Sequence, residues 1–543
     1  MLIKEIKIET ENVMKRIFNT SVLSCLACIL IFFSSLIPRI INLDEPGLAW
    51  DEPIYIEAGR TYVGGILRSQ IFNILTWEIN WEHPPIAKYL IGISLHILEP
   101  IGLSEVAAAR VPNAILGSLT CILLYLFLHD IYGESVSILA SLLLSYLPNF
   151  FAHSRYATLD SPKTFFIVFS LYAFKKWTKT GKFGWTISSA VLCGLALAVK
   201  ISALSLPPII LAWLLIMRPH RYQGIKATPL KSLFFILSFL LLAFIFFLLS
   251  WPLLWIDPKY IMKYLDFHLH HFNIPVYYLG EVHQRAPWHY PFIMLSVTTP
   301  VSVLLAAILG AFYPLKNIFR HKICTDRDKI SISLLIWLLS TLLRVSASYG
   351  YDGVRLFLDA LPALSSLAAI GASELNSSLS SFLRVSKRTI FYLLFILLIA
   401  SEIYACAITH PYETSCYNEL VIAVGGVKLF EKTYWGEVYK EVVEWLENKA
   451  PGARVVVPIA PHLAQYYAKT LKIMSNIPDI LAEKPAYLAF QAREGFYFDH
   501  LIIFCLNNLK PIHTIQVNGI TIAYIFNLED YYSLMNSTRS NSL

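Results

Sequence analysis

Long apolar runs alternate with short polar loops along this chain. Runs with few charges fall near 20–38, 108–128, 135–152, 161–174, 184–199, 201–217, 232–255, 290–315, 330–343, 354–373 and 389–408. A helix rises about 1.5 Å per residue, so crossing a hydrocarbon layer of about 30 Å takes roughly 17–25 apolar residues. By that measure the pattern predicts about eleven transmembrane helices. The stretch 86–99 is apolar but short, and it carries Lys88 and His96. It is expected to lie along the membrane surface rather than span. Beyond the last run the pattern changes. Tyr439–Asn448 has helical amphipathic spacing, Pro451-Gly452 stops it, and Val455–Ile459 and Ile520–Phe526 read as strands. The fold class expected is an α-helical polytopic membrane protein with a small C-terminal α/β domain. Its transmembrane part covers 1–408, including a large first outer loop at 39–107, and its soluble part covers 409–543.

Loop charge sets an orientation. With the N-terminus placed in the cytoplasm, the short inward segments carry 20 Lys and Arg and the short outward segments carry 6. Basic residues accumulate on the cytoplasmic side, so the C-terminus and the first loop are expected outside the cytoplasm. The N-terminal basic stretch Lys4, Lys7, Lys15 and Arg16 precedes an apolar run with no A-x-A-like cleavage site, which predicts a retained first span.

Composition agrees with the membrane assignment. The 543 residues are 56% hydrophobic and 15% charged, where a soluble domain is nearer a quarter charged. The net charge of +7 sits in loops between apolar runs, so it reads as membrane topology and predicts no nucleic-acid partner. The scattered cysteines define no disulfide framework; the Cys25/Cys28 pair lies inside an apolar run with no second pair or histidine partner.

Ionisable residues concentrate in the outward loops. Trp50-Asp51-Glu52-Pro53 follows the first span, and Glu82-His83-Pro84-Pro85 with Lys88 comes later in the same loop. His153-Ser154-Arg155-Tyr156-Ala157-Thr158-Leu159-Asp160 fills another, and Lys200 sits at the outer end of a span. His268, His270, His271, His283 and His289 share the loop 256–289, and Asp352 and Arg355 follow Arg344. Such groups are costly at membrane depth unless paired or wetted, and their convergence on one side suggests a site. A carboxylate such as Asp51 is suited to act as general base on a hydroxyl. Lys and Arg are suited to hold a lipid phosphate. Bland readings stand beside these: a solvated acidic loop, a helix boundary at Pro84-Pro85, a structural Arg155–Asp160 pair. Asn536-Ser537-Thr538 is an outward glycosylation sequon.

These residues carry a resemblance. Trp50-Asp51-Glu52-Pro53 followed by His83-Pro84-Pro85-Ile86-Ala87-Lys88 resembles the protein O-mannosyltransferase family. So do Ala109-Arg110-Val111-Pro112 with Gly117, Ser154-Arg155-Tyr156 with Leu159-Asp160, and Gly194-Leu195-Ala196-Leu197 with Lys200. Order and spacing agree over roughly 40–210. Glu82-His83-Pro84-Pro85 and His283-Gln284-Arg285-Ala286-Pro287-Trp288 are similar to elements of the lipid A aminoarabinose transferases. Both families are GT-C superfamily membrane glycosyltransferases that use polyprenyl-phosphate sugars.

The resemblance implies Asp51 as catalytic base with Glu52 supporting it. It implies His83, Lys88, Arg155, Asp160, Lys200 and Arg355 as residues that bind the carrier phosphate or line the cavity. It implies a divalent metal ion at Glu82 and His283, and no nucleotide or organic cofactor. The expected partners are a polyprenyl- or dolichyl-phosphate-linked sugar, a protein or glycolipid hydroxyl acceptor, and membrane lipids. The expected activity is transfer of a monosaccharide, mannose first among candidates, at the extracytoplasmic face of a cell or endoplasmic reticulum membrane. The alternative is a lipid or solute transporter without transfer chemistry; a third reading is a scaffold acting through its outer tail. Two departures are visible: the basic residue after Glu82 is a histidine, and no sugar-binding repeat domain interrupts the chain.

Overall fold

A computed structural model describes residues 22–217, 221–222, 225–226, 229–321, 325–348, 350–475 and 483–540. The basic stretch at Lys4–Arg16 lies outside them, as do the side chains of the 536–538 sequon. Every predicted apolar run is helical over most of its described residues, with breaks at Leu147, Trp251 and Thr299-Pro300. Among the described residues six helices are long and apolar enough to cross a membrane: Val22–Ile40, Glu105–Tyr132, Leu233–Ser250, Asp326–Ala347, Arg355–Leu383 and Lys387–Thr409. The other predicted spans are shorter or more charged than expected. Proline is one physical reason. Extended backbone at Leu147 and Thr299, each just before a proline, splits 135–152 into Glu134–Tyr146 and Pro148–His153, and splits 290–315 into Tyr290–Thr298 and Val301–His321. Charge is another, since Asp160–Thr180 is long enough but carries Asp160, Lys163, Lys175, Lys176 and Lys179.

The helix Ile86–Leu98 has 13 residues. At about 20 Å it falls short of the hydrocarbon thickness. It packs on Glu52–Leu67 at backbone contact: a Cβ on Gly92 would lie 2.1 Å from the Gly59 carbonyl oxygen. Gly310 and Gly371 bring Val301–His321 against Leu361–Leu383 in the same way.

One buried ion pair organises the first loop. The Glu52 carboxylate is fully buried and accepts from Arg110 Nε at 2.8 Å and Nη2 at 2.6 Å. It also accepts from the backbone N–H groups of Ala49 at 2.8 Å and Ala157 at 2.6 Å. Arg110 in turn donates to the carbonyls of Leu43, Pro46 and Gly47. The pair therefore knots three segments that are far apart in sequence.

The tail is a five-stranded mixed sheet in the order Lys472–Met474, Arg454–Val456, Tyr487–Gln491, Ile520–Asn527, His513–Val517. The first three strands are parallel and the last two pair antiparallel. The strand expected over 455–459 ends at Val456, two residues before Pro458. Helix Tyr439–Lys449 turns Tyr439, Val442, Val443 and Leu446 inward, the spacing its sequence shows. These residues share one apolar core with Leu48, Tyr55, Ile91 and Val106. The tail is thus fused to the first loop, and Gly47 is packed so close that a Cβ would lie 2.2 Å from the Glu437 carbonyl oxygen.

Breaking a buried pair strands a charge, a loss of about 3–5 kcal/mol. Glu52→Ala and Arg110→Ala should each lower the thermal unfolding temperature in detergent sharply, and the double change should cost less than the sum of the two. Additive losses would show that the two side chains act independently.

Candidate functional site

The first loop, the Lys200 turn, the segment 267–274, the turn before Arg355–Leu383 and the tail domain together enclose a cavity of about 510 Å³. Its polar lining includes Asp51, Glu82, His83, Lys200, Arg355 and Arg493. Asp51 is the N-cap residue of Glu52–Leu67, yet its side chain makes no cap hydrogen bond and is instead paired with Arg355.

Arg355 is the electrostatic centre. Its Nη2 meets Asp51, its Nη1 lies 2.8 Å from Asp352 Oδ2, and its Nε lies 3.2 Å from Asp160 Oδ2. Asp160 Oδ1 lies 2.8 Å from Lys200 Nζ. Behind it Lys163 lies 2.8 Å from Asp359, with Arg344 at 3.8 Å. Asp352 Oδ1 reaches Arg493 Nη2 at 2.8 Å. On the cavity wall itself Lys200, Arg355 and Arg493 stand with Asp51, Glu82 and Asp352, so the wall carries clustered cations whose charge is balanced by carboxylates that a bound anion could displace. Among the three carboxylates on Arg355, Asp51 is 26% exposed, Asp352 5% and Asp160 0%. Only Asp51 is therefore open enough to meet a hydroxyl.

Two histidines on the cavity wall, His83 and His268, are held neutral at pH 7. Burial, with Lys200 and Lys88 nearby, pushes His83 well below its ordinary value. Its Nδ1 has no partner among the described residues. Burial lowers His268 to about 4. Its Nε2 lies 3.0 Å from the Glu82 carbonyl oxygen, a contact that fits Nε2 as the donor.

The structure brings Asp51, Glu82, His83, Lys200 and Arg355 to the cavity and sets Asp160 directly behind it. Four expected site residues lie elsewhere. Glu52 is spent on Arg110 and two backbone N–H groups and does not line the cavity. Lys88 is fully buried, with Nζ 2.7 Å from the Asn80 carbonyl oxygen and 2.6 Å from that of His83, so it braces the loop carrying Glu82. Arg155 donates to the Asn42 carbonyl at 3.0 Å and lies 3.6 Å from Glu413, joining the first loop to the start of the tail. His283 sits in the hairpin formed by Val276–Tyr278 and Glu281–His283, where the register pairs it with Val276. Its ring lies 6.0 Å from that of Tyr278, and it does not share the cavity wall with Glu82. The expected metal pair is therefore not assembled, and among the described residues no group of three or more His, Cys, Asp or Glu is placed to hold a metal ion.

Arg493 and Phe496 are cavity residues that sequence reasoning missed. They follow strand Tyr487–Gln491, about 140 residues from Asp352, and no motif or periodicity links them to the site.

Residues 82–251 match the family model described as dolichyl-phosphate-mannose-protein mannosyltransferase. An uncharacterized protein of Aquifex aeolicus (strain VF5) is 31% identical over 124 residues, which are 22% of this chain and 23% of that protein. The chain thus spans about a quarter of the length of the curated relative it matches. Among solved structures, ArnT from Cupriavidus metallidurans bound to undecaprenyl phosphate is 14% identical with a TM-score of 0.44, covering 93% of this chain and 98% of that one. The Archaeoglobus fulgidus oligosaccharyltransferase tethered with an acceptor peptide is 13% identical with a TM-score of 0.47, covering 87% and 71%. The S. cerevisiae Pmt1-Pmt2 complex bound to the sugar donor is 20% identical with a TM-score of 0.34, covering 47% and 38%.

The depressed His268 has a stability consequence. The unfolded histidine takes up a proton near 6.5 and the folded one only near 4, so the unfolded state binds more protons between those values. Stability should therefore fall as pH drops from about 6.5 toward 4. Thermal unfolding across that window should show a shallower slope for His268→Gln; an unchanged slope would remove His268 from the account.

Proposed function

We propose that this chain is a membrane glycosyltransferase that moves a monosaccharide from a polyprenyl- or dolichyl-phosphate carrier to a hydroxyl acceptor. The observation that carries the reading is the Arg355 cluster at the cavity: Asp51, the most accessible of Arg355's three carboxylates, stands beside the cations Arg355 and Lys200 on the cavity wall. The family match over 82–251 includes Glu82, His83, Asp160 and Lys200, and so supports the same reading.

The chemistry follows from these parts. The carrier phosphate lies against Lys200 and Arg355, whose charges offset its own. Arg355 then shares its guanidinium between the phosphate and its carboxylates, which frees Asp51 to face the acceptor. Asp51 takes the proton of the acceptor hydroxyl. The oxygen forms a bond to the anomeric carbon as the carbon–phosphate-oxygen bond breaks, and the leaving phosphate keeps the electron pair. Attack opposite the leaving group inverts the anomeric centre. The cations are already in place around the growing phosphate charge, so little reorganisation is needed as it develops. In this reading the cavity faces away from the cytoplasm, with the N-terminus inside and the tail domain outside. Mannose is the first sugar to test, and the acceptor is a protein or glycolipid hydroxyl.

The purified protein should consume radiolabelled polyprenyl-phosphate mannose. Asp51→Asn should lower kcat by about 10²–10⁴-fold while keeping carrier affinity within a few-fold. Turnover by Asp51→Asn at the wild-type rate would refute the base assignment. Movement of intact carrier across vesicles without sugar release would favour a transporter.

A further inference from the structure

The tail domain adds one charged side chain to the cavity, and that side chain has a vacant hydrogen-bond donor. Arg493 lines the cavity although its side chain is only 4% exposed. Its Nη1 donates to the Tyr434 carbonyl oxygen at 2.7 Å, and its Nη2 lies 2.8 Å from Asp352 Oδ1. The Nε is buried and has no partner among the described residues. Leaving a buried donor unsatisfied is costly, so the group calls for an acceptor that arrives with a ligand.

The geometry is rigid. Both outer nitrogens are held, and the guanidinium lies 4.1 Å over the Phe496 ring and 5.2 Å over that of Trp50. Trp50 and Phe496 line the same cavity with their centroids 6.0 Å apart. A fixed donor beside two aromatic faces matches a sugar, which presents C–H faces and hydroxyl oxygens together. The same Asp352 that holds Arg493 also holds Arg355, which pairs with Asp51. Arg493 thus stands two side chains from the group assigned as base.

We propose that Arg493 is a sugar-binding residue, its Nε donating to a sugar oxygen, so that the tail domain takes part in substrate selection. This rests on the glycosyltransferase reading above. Two sources supply the same chemistry: the sugar on the carrier, or a sugar on the acceptor.

The test compares wild type, Arg493→Lys and Arg493→Ala in detergent. Lysine keeps a positive charge for Asp352 but lacks Nε and gives up the Tyr434 contact, so the melting temperature and the bare-carrier affinity are read beside the sugar preference to separate lost folding from lost sugar binding. One arm measures binding of undecaprenyl phosphate with and without mannose. A roughly tenfold loss of the preference for the mannosylated carrier in Arg493→Lys, with bare-carrier affinity unchanged, assigns the contact to the donor sugar. The other arm measures binding of methyl α-mannoside to protein already holding bare undecaprenyl phosphate. A tenfold loss there alone assigns it to the acceptor. Both affinities within twofold of wild type in both variants, or equal losses for the two carriers, would overturn the proposal. Wild-type protein that binds neither carrier would instead sink the glycosyltransferase reading.

Discussion

Everything around the cavity depends on one guanidinium. Arg355 touches carboxylates from three parts of the chain: Asp51 after the helix Val22–Ile40, Asp160 at the start of the helix Asp160–Thr180, and Asp352 three residues before Arg355 itself. A charge this deeply placed is tolerable only because all three of its nitrogen positions are matched. Any of the three acids alone would be a poor fit for a low-dielectric setting. Together with Lys200, Lys163 and Arg493 they form one connected network, and the cavity is the place where that network meets open space.

The polar residues near the membrane boundary divide into two kinds. Glu52, Arg110, Lys88 and Arg155 spend their capacity on backbone carbonyls and N–H groups or on each other. They fix the shape of the first loop and its attachment to the tail. Asp51, Lys200, Arg355 and Arg493 keep an edge toward the cavity. The two kinds are adjacent in sequence, as Asp51 and Glu52 show: helix geometry turns neighbouring side chains about 100° apart, so one faces the cavity and the other the Arg110 pocket.

That adjacency explains what could be read from the sequence. The apolar runs gave the helices directly, because a 20-residue apolar stretch has few alternatives. The helix 439–449 and strand 520–527 were legible from their periods. Of the conspicuous acids and bases, Asp51, Glu82, His83, Lys200 and Arg355 do share the cavity. The resemblance implies Glu52, Lys88 and Arg155 as site residues, but likeness of motif does not say which member of a neighbouring pair turns inward, and these three brace the site instead. His283 was drawn toward Glu82 by likeness, but the hairpin register sends it to Tyr278. Arg493 was invisible because its place depends on how the tail sheet docks, which is a tertiary property.

The central claim is that Lys200 and Arg355 receive the carrier phosphate and thereby release Asp51. A cryo-EM structure of the protein with undecaprenyl phosphate tests this most directly. The account predicts phosphate oxygens within about 3 Å of Lys200 Nζ and Arg355, with the Asp51 carboxylate parted from the guanidinium and turned into the cavity. A phosphate bound away from both residues, with Asp51 and Arg355 still joined, would contradict it.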